Sequence, residues 1–117
     1  CVPLCGKDGS MTARKITALS ELRTGHYGIL EPSDTAPEIA PENIDLILAP
    51  ALSCDRKWYR LGYGGGYYDR FLSRTNAACA ALCASQRMSA TLPREAFDRR
   101  CHYIITEREV LRTDESR

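Results

Sequence analysis

The sequence predicts an α/β domain with a parallel sheet, and three short apolar segments carry that prediction. They span residues 45–49, 78–84 and 103–106, and stretches that could hold helix or loop separate them. A short apolar run bounded by turn residues is typical of a strand buried on both faces. Strands that alternate with helical segments favour parallel pairing. With 117 residues, the whole chain suits a single domain.

The remaining elements follow from weaker local signals. Residues 11–16 are predicted to form a short strand, and residues 18–22 a helical turn at most. Residues 51–66 are expected to form a loop. Residues 67–74 are expected to form a helix, because apolar side chains recur there with i, i+3, i+4 spacing. Pro93 is expected near the start of another short helix.

Charge and hydropathy exclude some classes of partner. The chain has 16 Lys and Arg against 15 Asp and Glu, which gives a net charge of +1. This balance argues against a nucleic-acid partner or a polybasic membrane-binding module. The longest apolar run, residues 77–84, is too short to span a bilayer. We therefore expect neither a nucleic-acid partner nor a membrane partner, and the oligomeric state stays open.

The six cysteines show no Cys-x-x-Cys pair, so a zinc or redox site of the usual spacing is not expected. The favoured interpretation is small buried side chains in a reducing cytoplasm, with a disulfide framework as the alternative. No signal peptide is visible, and the first residue is Cys1 rather than Met. The chain is therefore expected to be processed, trimmed or incomplete.

A glycine cluster is the most informative feature of the sequence. Four of the eight glycines lie within residues 62–66, directly before the expected helix. Glycine lets a ligand approach the backbone, and a helix N-terminus presents free N–H groups to anions. Residues 56–74 also contain five basic residues and one acid, Asp69. These observations indicate an anion site, with a plain flexible turn as the simpler interpretation. Asp69 is either a helix N-terminal acid or a Mg²⁺ ligand.

Common nucleotide-binding motifs do not match this cluster. There is no Gly-Lys-Ser/Thr, which excludes a Walker A loop. The spacing is Gly-x-Gly-x-Gly, and no acid lies about 20 residues beyond it, which argues against a dinucleotide-binding unit.

Several segments resemble elements of the 5-formyltetrahydrofolate cyclo-ligase family, and they occur along the chain in the same order as in that family. The block from Arg60 to Leu72, Arg-Leu-Gly-Tyr-Gly-Gly-Gly-Tyr-Tyr-Asp-Arg-Phe-Leu, is similar to the signature of that family and is the most specific element. The resemblance covers nearly the whole chain. The other matching elements are residues 28–32, residues 45–52 with Asp55, Leu92 with Pro93, Asp98, and residues 104–107.

The resemblance implies a three-layer α/β/α fold with a mainly parallel sheet, here without the family's N-terminal segment. It implies ATP-dependent cyclisation of 5-formyltetrahydrofolate to 5,10-methenyltetrahydrofolate, with release of ADP and phosphate. ATP is then a co-substrate that acts with Mg²⁺, a small-molecule folate is the substrate, and the enzyme is cytoplasmic.

The same resemblance implies the site residues. Arg60 and Tyr67 are the expected catalytic residues, and Asp69 and His102 are the expected metal ligands. The expected folate-binding residues are Met11, Tyr27, Tyr63 and Tyr67. The expected ATP-binding residues are Arg60, Leu61, Gly62, Tyr63, Gly64, Gly65, Gly66, Tyr67 and Tyr68.

Three features keep alternatives open. His102 stands where many relatives carry an acid; imidazole is a poorer Mg²⁺ ligand than carboxylate, so His102 could instead bond a phosphate or lie at a strand edge. Some relatives carry Lys where Gly65 stands, and Arg70, Arg74 or Lys57 could supply that charge. The chain could also be a nucleotide-binding remnant without turnover, or a fragment whose glycine loop is only a turn.

Overall fold

The structure is a computed structural model that describes residues 1–25, 28–62, 65–93 and 99–113. In these parts of the chain, short strands form four small sheets around one α-helix. Five strand pairs are antiparallel and three are parallel. No helix among the described residues is long and apolar enough to cross a membrane.

The N-terminal sheet is antiparallel and contains the predicted strand at 11–16. Strand β1 (Val2–Cys5) pairs with β2 (Met11–Arg14), and β2 pairs with β5 (Glu38–Ile39). The β1–β2 turn includes Gly9, whose φ of 84° favours glycine. A separate two-stranded ribbon joins β3 (Arg23–Thr24) to β4 (Leu30–Glu31).

The four-stranded sheet contains the three apolar segments on which the fold prediction rests. Strands β6 (Leu46–Pro50), β9 (Ala78–Leu82) and β11 (Tyr103–Ile105) are parallel, with β9 in the centre. Strand β12 (Val110–Arg112) adds an antiparallel edge that the sequence did not predict.

A third small sheet corrects the predicted loop over residues 51–66. Strand β7 (Ser53–Asp55) forms a hairpin with β8 (Arg60–Leu61) and pairs in parallel with β10 (Met88–Ser89). These strands have two or three residues each, too few for a period-2 pattern to emerge. Their pairing depends instead on the turn that joins them.

The α-helix, α1 (Tyr67–Leu72), confirms the helix predicted from residue 67 but ends two residues earlier. The other helical segments of the described residues are 3₁₀ turns at Leu19–Glu21, Pro41–Asn43 and Ser85–Arg87. The described residues are therefore strand-rich, and helices covering both sheet faces are not seen among them. Prolines interrupt residues 32–41, and a proline-rich connection does not sustain a helix. The residues after Pro93 that predict another short helix, Arg94, Glu95 and Ala96, lie outside the described residues.

The core lies against one face of the four-stranded sheet. Leu72 of α1 and Ile104 of β11 pack there with four buried cysteines, Cys54, Cys79, Cys83 and Cys101. All six cysteines carry free thiols, and the Sγ atoms of Cys79 and Cys101 are 3.5 Å apart. The expectation of small buried side chains is confirmed for these four. A second apolar cluster joins Met11, Ala13 and Phe71.

Candidate functional site

Arg60 is the central side chain of the candidate site. Its side chain is 4% exposed, and its Nη1 donates a hydrogen bond to the Pro50 carbonyl over 3.0 Å, at the end of β6. Its Nη2 is 4.0 Å from Oδ1 of Asp69, and its guanidinium carbon is 5.3 Å from the centre of the Tyr68 ring. The buried Nε has no hydrogen-bond partner among the described residues. A buried cation with so few partners is costly, which is typical of a binding group.

Asp55 fixes the hairpin that carries Arg60. The carboxylate is fully buried. Its Oδ1 accepts hydrogen bonds from the backbone N–H of Lys57 (2.9 Å) and Tyr59 (3.1 Å), and its Oδ2 accepts one from Leu92 (2.9 Å). This is an Asx-type turn extended to a second segment of chain. From the sequence, Asp55 is identified only as part of the resemblance, because the residues that follow it, Arg-Lys-Trp-Tyr, carry no turn signal.

The glycine loop is described at Gly62, Gly65 and Gly66, whereas the expected residues Tyr63 and Gly64 lie outside the described residues. Gly66 has a φ of 70° and is the N-cap of α1. A Cβ on Gly62 would lie 2.9 Å from Nη1 of Arg60, so a side chain there would displace the guanidinium. The loop therefore depends on glycine both for its turn and for its contact with Arg60.

Asp69 and His102, the two expected metal ligands, have different surroundings. Asp69 lies in the first turn of α1 next to Arg60, and its side chain is 17% exposed. His102 lies immediately before β11, and its Nδ1 accepts the backbone N–H of Cys79 over 3.0 Å. The described parts of the chain contain no group of three or more His, Cys, Asp or Glu side chains that could hold a metal ion.

An apolar groove of about 310 Å³ adjoins Arg60 through Tyr68. Met11, one of the expected folate-binding residues, lies in its wall, and Tyr68 and Phe71 of α1 line it from the other side. Burial raises the pKa of the Tyr68 hydroxyl above its usual value. Tyr27, another expected folate residue, lies outside the described residues.

Tyr67 and Leu61 complete the expected set. Tyr67 is half-buried at the start of α1, and the ring lies 5.4 Å from the guanidinium carbon of Arg70. Leu61 is exposed at the end of β8. The structure thus brings Arg60, Tyr68 and Asp69 into mutual contact, with Tyr67 and the described glycines in the adjoining segment.

Comparison with known proteins shows what this arrangement is similar to. A family model described as "5-formyltetrahydrofolate cyclo-ligase family" matches residues 2–107. A Schizosaccharomyces pombe protein named "Probable 5-formyltetrahydrofolate cyclo-ligase" is 26% identical, over 95% of this chain and 62% of its own length. A 5-formyltetrahydrofolate cyclo-ligase of Mycolicibacterium smegmatis is 33% identical, over 73% of this chain and 45% of its own length.

A solved structure has the same fold. The NMR structure of Aquifex aeolicus 5,10-methenyltetrahydrofolate synthetase superposes with a TM-score of 0.81 at 31% sequence identity. The match covers 98% of this chain and 58% of that one. The chain thus spans roughly half to three fifths of the length of these relatives.

Proposed function

Because the chain belongs to the 5-formyltetrahydrofolate cyclo-ligase family, we propose that it acts in the ATP-dependent cyclisation of 5-formyltetrahydrofolate to 5,10-methenyltetrahydrofolate. ADP and phosphate are the other products. The observation that carries this proposal is the position of Arg60, a nearly buried cation between the glycine loop and the apolar groove. A phosphate donor and an apolar ring system could meet there.

On the ATP side, the expected ligands are Arg60 and the backbone of the glycine loop. Phosphoryl transfer depends mainly on positioning and on neutralising charge. In a water-poor setting, the attraction between a guanidinium and a phosphate is stronger than at the surface. Asp55 supports this role indirectly, because its three backbone hydrogen bonds fix the β7–β8 hairpin from which Arg60 extends.

On the folate side, the groove next to Met11 and Tyr68 suits a flat ring. Its lining is mostly apolar and includes two aromatic side chains, Tyr68 and Phe71. Aromatic rings favour offset or edge-on contact with other ring systems. The substrate's formyl group would then lie toward Arg60, because Tyr68 contacts both the groove and the guanidinium.

Asp69 fits a magnesium ion shared with ATP, and His102 fits it less well. Mg²⁺ is commonly held by one or two carboxylates together with substrate phosphates, and Asp69 offers one carboxylate beside Arg60. The Nδ1 lone pair of His102 is already used by the Cys79 N–H, so only Nε2 could ligate the ion, and imidazole is a poorer Mg²⁺ ligand than carboxylate. When bound, the ion would neutralise charge that develops on the phosphates.

The proposed chemistry has two steps. The formyl oxygen attacks the γ-phosphorus of ATP, the bond to the β–γ bridging oxygen breaks, and ADP leaves. N10 then adds to the activated formyl carbon, the bond from that carbon to the phosphorylated oxygen breaks, and phosphate leaves as N10 loses its proton. Arg60 would hold the transferring group in line during the first step, where charge neutralisation matters most.

We also propose the three-layer fold that the resemblance implies. Beyond the groove, whose wall includes Leu46 and Leu48, the sheet face opposite the core is apolar and open: Leu82 and Val110 are 44% and 64% exposed there. Helices are the usual cover for the faces of a parallel sheet. We propose that a helical layer covers this face in the functional protein, and that the protein works in the cytoplasm, where its free thiols persist.

The test measures binding and turnover separately. The chain is titrated with MgATP by calorimetry, and methenyltetrahydrofolate formation from 5-formyltetrahydrofolate is followed by absorbance. Arg60→Met removes the cation at similar volume, and Asp69→Asn removes the carboxylate charge. Glu42→Gln, an exposed acid of the 3₁₀ turn at 41–43, is the matched control.

Turnover that needs MgATP, falls at least tenfold in Arg60→Met and Asp69→Asn, and persists in Glu42→Gln would support the proposal. Binding of MgATP that is sensitive to Arg60 but gives no product would favour a nucleotide-binding remnant. Absence of any MgATP binding by the folded chain would overturn the functional proposal.

A further inference from the structure

Arg70 joins two turns that are far apart in the sequence. Its Nε and Nη2 donate hydrogen bonds to the Gly9 carbonyl over 3.2 and 2.6 Å. Its Nη2 also donates to the Gly65 carbonyl over 2.8 Å. Gly9 belongs to the β1–β2 turn, and Gly65 belongs to the glycine loop. One guanidinium therefore connects the hairpin to the loop.

Both turns approach the guanidinium closely, so a side chain on either turn would push the guanidinium out of its present position. A Cβ on Gly9 would lie 3.0 Å from Nη2 of Arg70, and a Cβ on Gly66 would lie 2.8 Å from Nη1. Gly9 and Gly66 have φ angles of 84° and 70°, which favour glycine as well. The Tyr67 ring, 5.4 Å from the guanidinium carbon, adds a cation–π contact. Three hydrogen bonds, one ring contact and two positive-φ glycines therefore define this arrangement at the exposed surface.

These contacts point away from a phosphate-binding role. From the sequence, Arg70 is one of three residues that could supply the charge that a lysine supplies in some relatives. In the structure, Nε and Nη2 donate to two backbone carbonyls, so a phosphate held without breaking those bonds would have to bind through Nη1 alone.

We propose that Arg70 is a positioning residue that holds the glycine loop in fixed relation to strand β2. Met11, the first residue of β2, follows Gly9 by two residues and lies in the wall of the apolar groove. Arg70 thereby links the proposed folate side of the site to the proposed ATP side. This inference rests on the proposed function for its consequence in catalysis, while the link itself rests on the contacts alone.

A role of Arg70 in positioning the loop and a role in binding phosphate through its charge predict opposite results for Arg70→Lys. Lysine keeps the charge but has a single donor atom, so it cannot reproduce the three guanidinium contacts. If Arg70 positions the loop, kcat falls about 10- to 100-fold in Arg70→Lys and Arg70→Ala alike, since small misplacements of reacting groups are costly. Any change in the Kd for MgATP is then the same in Arg70→Lys as in Arg70→Ala, because lysine restores the charge but not the loop contacts. If Arg70 binds phosphate, Arg70→Ala weakens MgATP binding and Arg70→Lys restores most of it, which would overturn the proposal.

A second variant tests the link from its other end. Gly9→Ala leaves every charge in place but puts a methyl group against Nη2, so it should reproduce the Arg70→Lys defect in kcat. The double variant Gly9→Ala/Arg70→Lys should be no worse than either single variant, because both disrupt one contact. Arg112→Lys, on the exposed edge strand β12, is the control and should behave like the parent chain.

Hydrogen exchange separates the failure of this inference from failure of the proposed function. Compared with the folded parent chain, the Gly9→Ala variant should exchange amide hydrogens about tenfold faster in the peptide that covers residues 65–72. The Arg70→Lys variant should show the same acceleration in residues 6–11. These readings need no ATP and no turnover. If the parent chain neither binds MgATP nor turns over, but each variant still accelerates exchange in the other segment, the proposed function is rejected and the link is kept. Exchange that changes only near the substituted residue would overturn the link itself.

Discussion

Removal of the Asp55 carboxylate should be among the most damaging single substitutions in this chain. The group is fully buried and accepts three backbone hydrogen bonds, from Lys57, Tyr59 and Leu92. Hydrogen bonds to a charged group contribute about 1.5–3 kcal/mol each, and a buried donor left without a partner costs about 1–3 kcal/mol. The Leu92 N–H is buried and bears the full cost, whereas the Lys57 and Tyr59 N–H groups are partly buried and can recruit water.

Two substitutions separate the contributions that these hydrogen bonds make to the free energy of unfolding. Asp55→Ala should lower the free energy of unfolding by about 3–5 kcal/mol, a large part of the total stability of an ordinary domain. Asp55→Asn keeps an acceptor for Lys57 and Tyr59 but puts an amide donor against the Leu92 N–H, so about 2–3 kcal/mol should be lost. Glu107→Gln is the control: its carboxylate also accepts two bonds from Ser85, but it is exposed, and the change should stay within about 0.5 kcal/mol.

Urea unfolding provides the measurement. Trp58 is the only tryptophan and lies in the hairpin that Asp55 organises, so its fluorescence reports this region directly, while circular dichroism reports the whole chain. Coincident transitions by both probes would justify a two-state analysis. An Asp55→Asn chain within 0.5 kcal/mol of the parent would refute the reasoning, because the Leu92 bond would then contribute nothing.

Three further predictions concern the thiols and the loop. At pH 8 a thiol reagent should react quickly with Cys1 and more slowly with half-buried Cys5, while the four buried thiols should react only in denaturant; six fast thiols would contradict the core described here. Burial raises the pKa of Cys54 to about 12, so above pH ~9 the unfolded state loses a proton that the folded state keeps, and stability should fall by about 1.4 kcal/mol per pH unit for this thiol. Cys54→Ala should reduce that slope in urea midpoints measured from pH 8 to 10.5; an unchanged slope would count against it. Gly66→Ala should lower stability more than Gly28→Ala. Both glycines have positive φ, but of the two only Gly66 has an atom of the described residues within 4 Å of an added Cβ. Equal urea midpoints for the two variants would contradict this prediction.

The apolar segments could be predicted because burial in the four-stranded sheet leaves a local signal. Residues 46–50, 78–82 and 103–105 form strands where continuous apolar runs occur, and α1 begins at the predicted residue. Two-residue strands such as β8 and β10 have no such signal, because their pairing is set by turns and by distant partners. The extent of helix was overestimated for a related reason: a stretch that alternates with strands can hold 3₁₀ turns and loops as readily as helices.

The site could be predicted in part because its glycine-rich block is contiguous. Arg60, Tyr68 and Asp69 lie within ten residues of one another and meet in space. Contacts that depend on the tertiary fold could not be predicted in the same way. The bonds from Arg70 to Gly9 and from Leu92 to Asp55 span 61 and 37 residues, and neither partner has a sequence pattern that identifies the other.

Asp55 and Arg60 show how two buried charges, five residues apart, can have different roles. The carboxylate has a hydrogen-bond donor on each oxygen, so its burial is compensated within the fold. The guanidinium has one carbonyl, one carboxylate at 4.0 Å, an aromatic face and an Nε without a partner among the described residues. A buried charge that the fold satisfies stabilises the fold, whereas one that the fold satisfies incompletely costs stability until a ligand compensates it. Replacing Asp55 should therefore damage folding first and binding second, and replacing Arg60 should damage binding while leaving folding nearly intact.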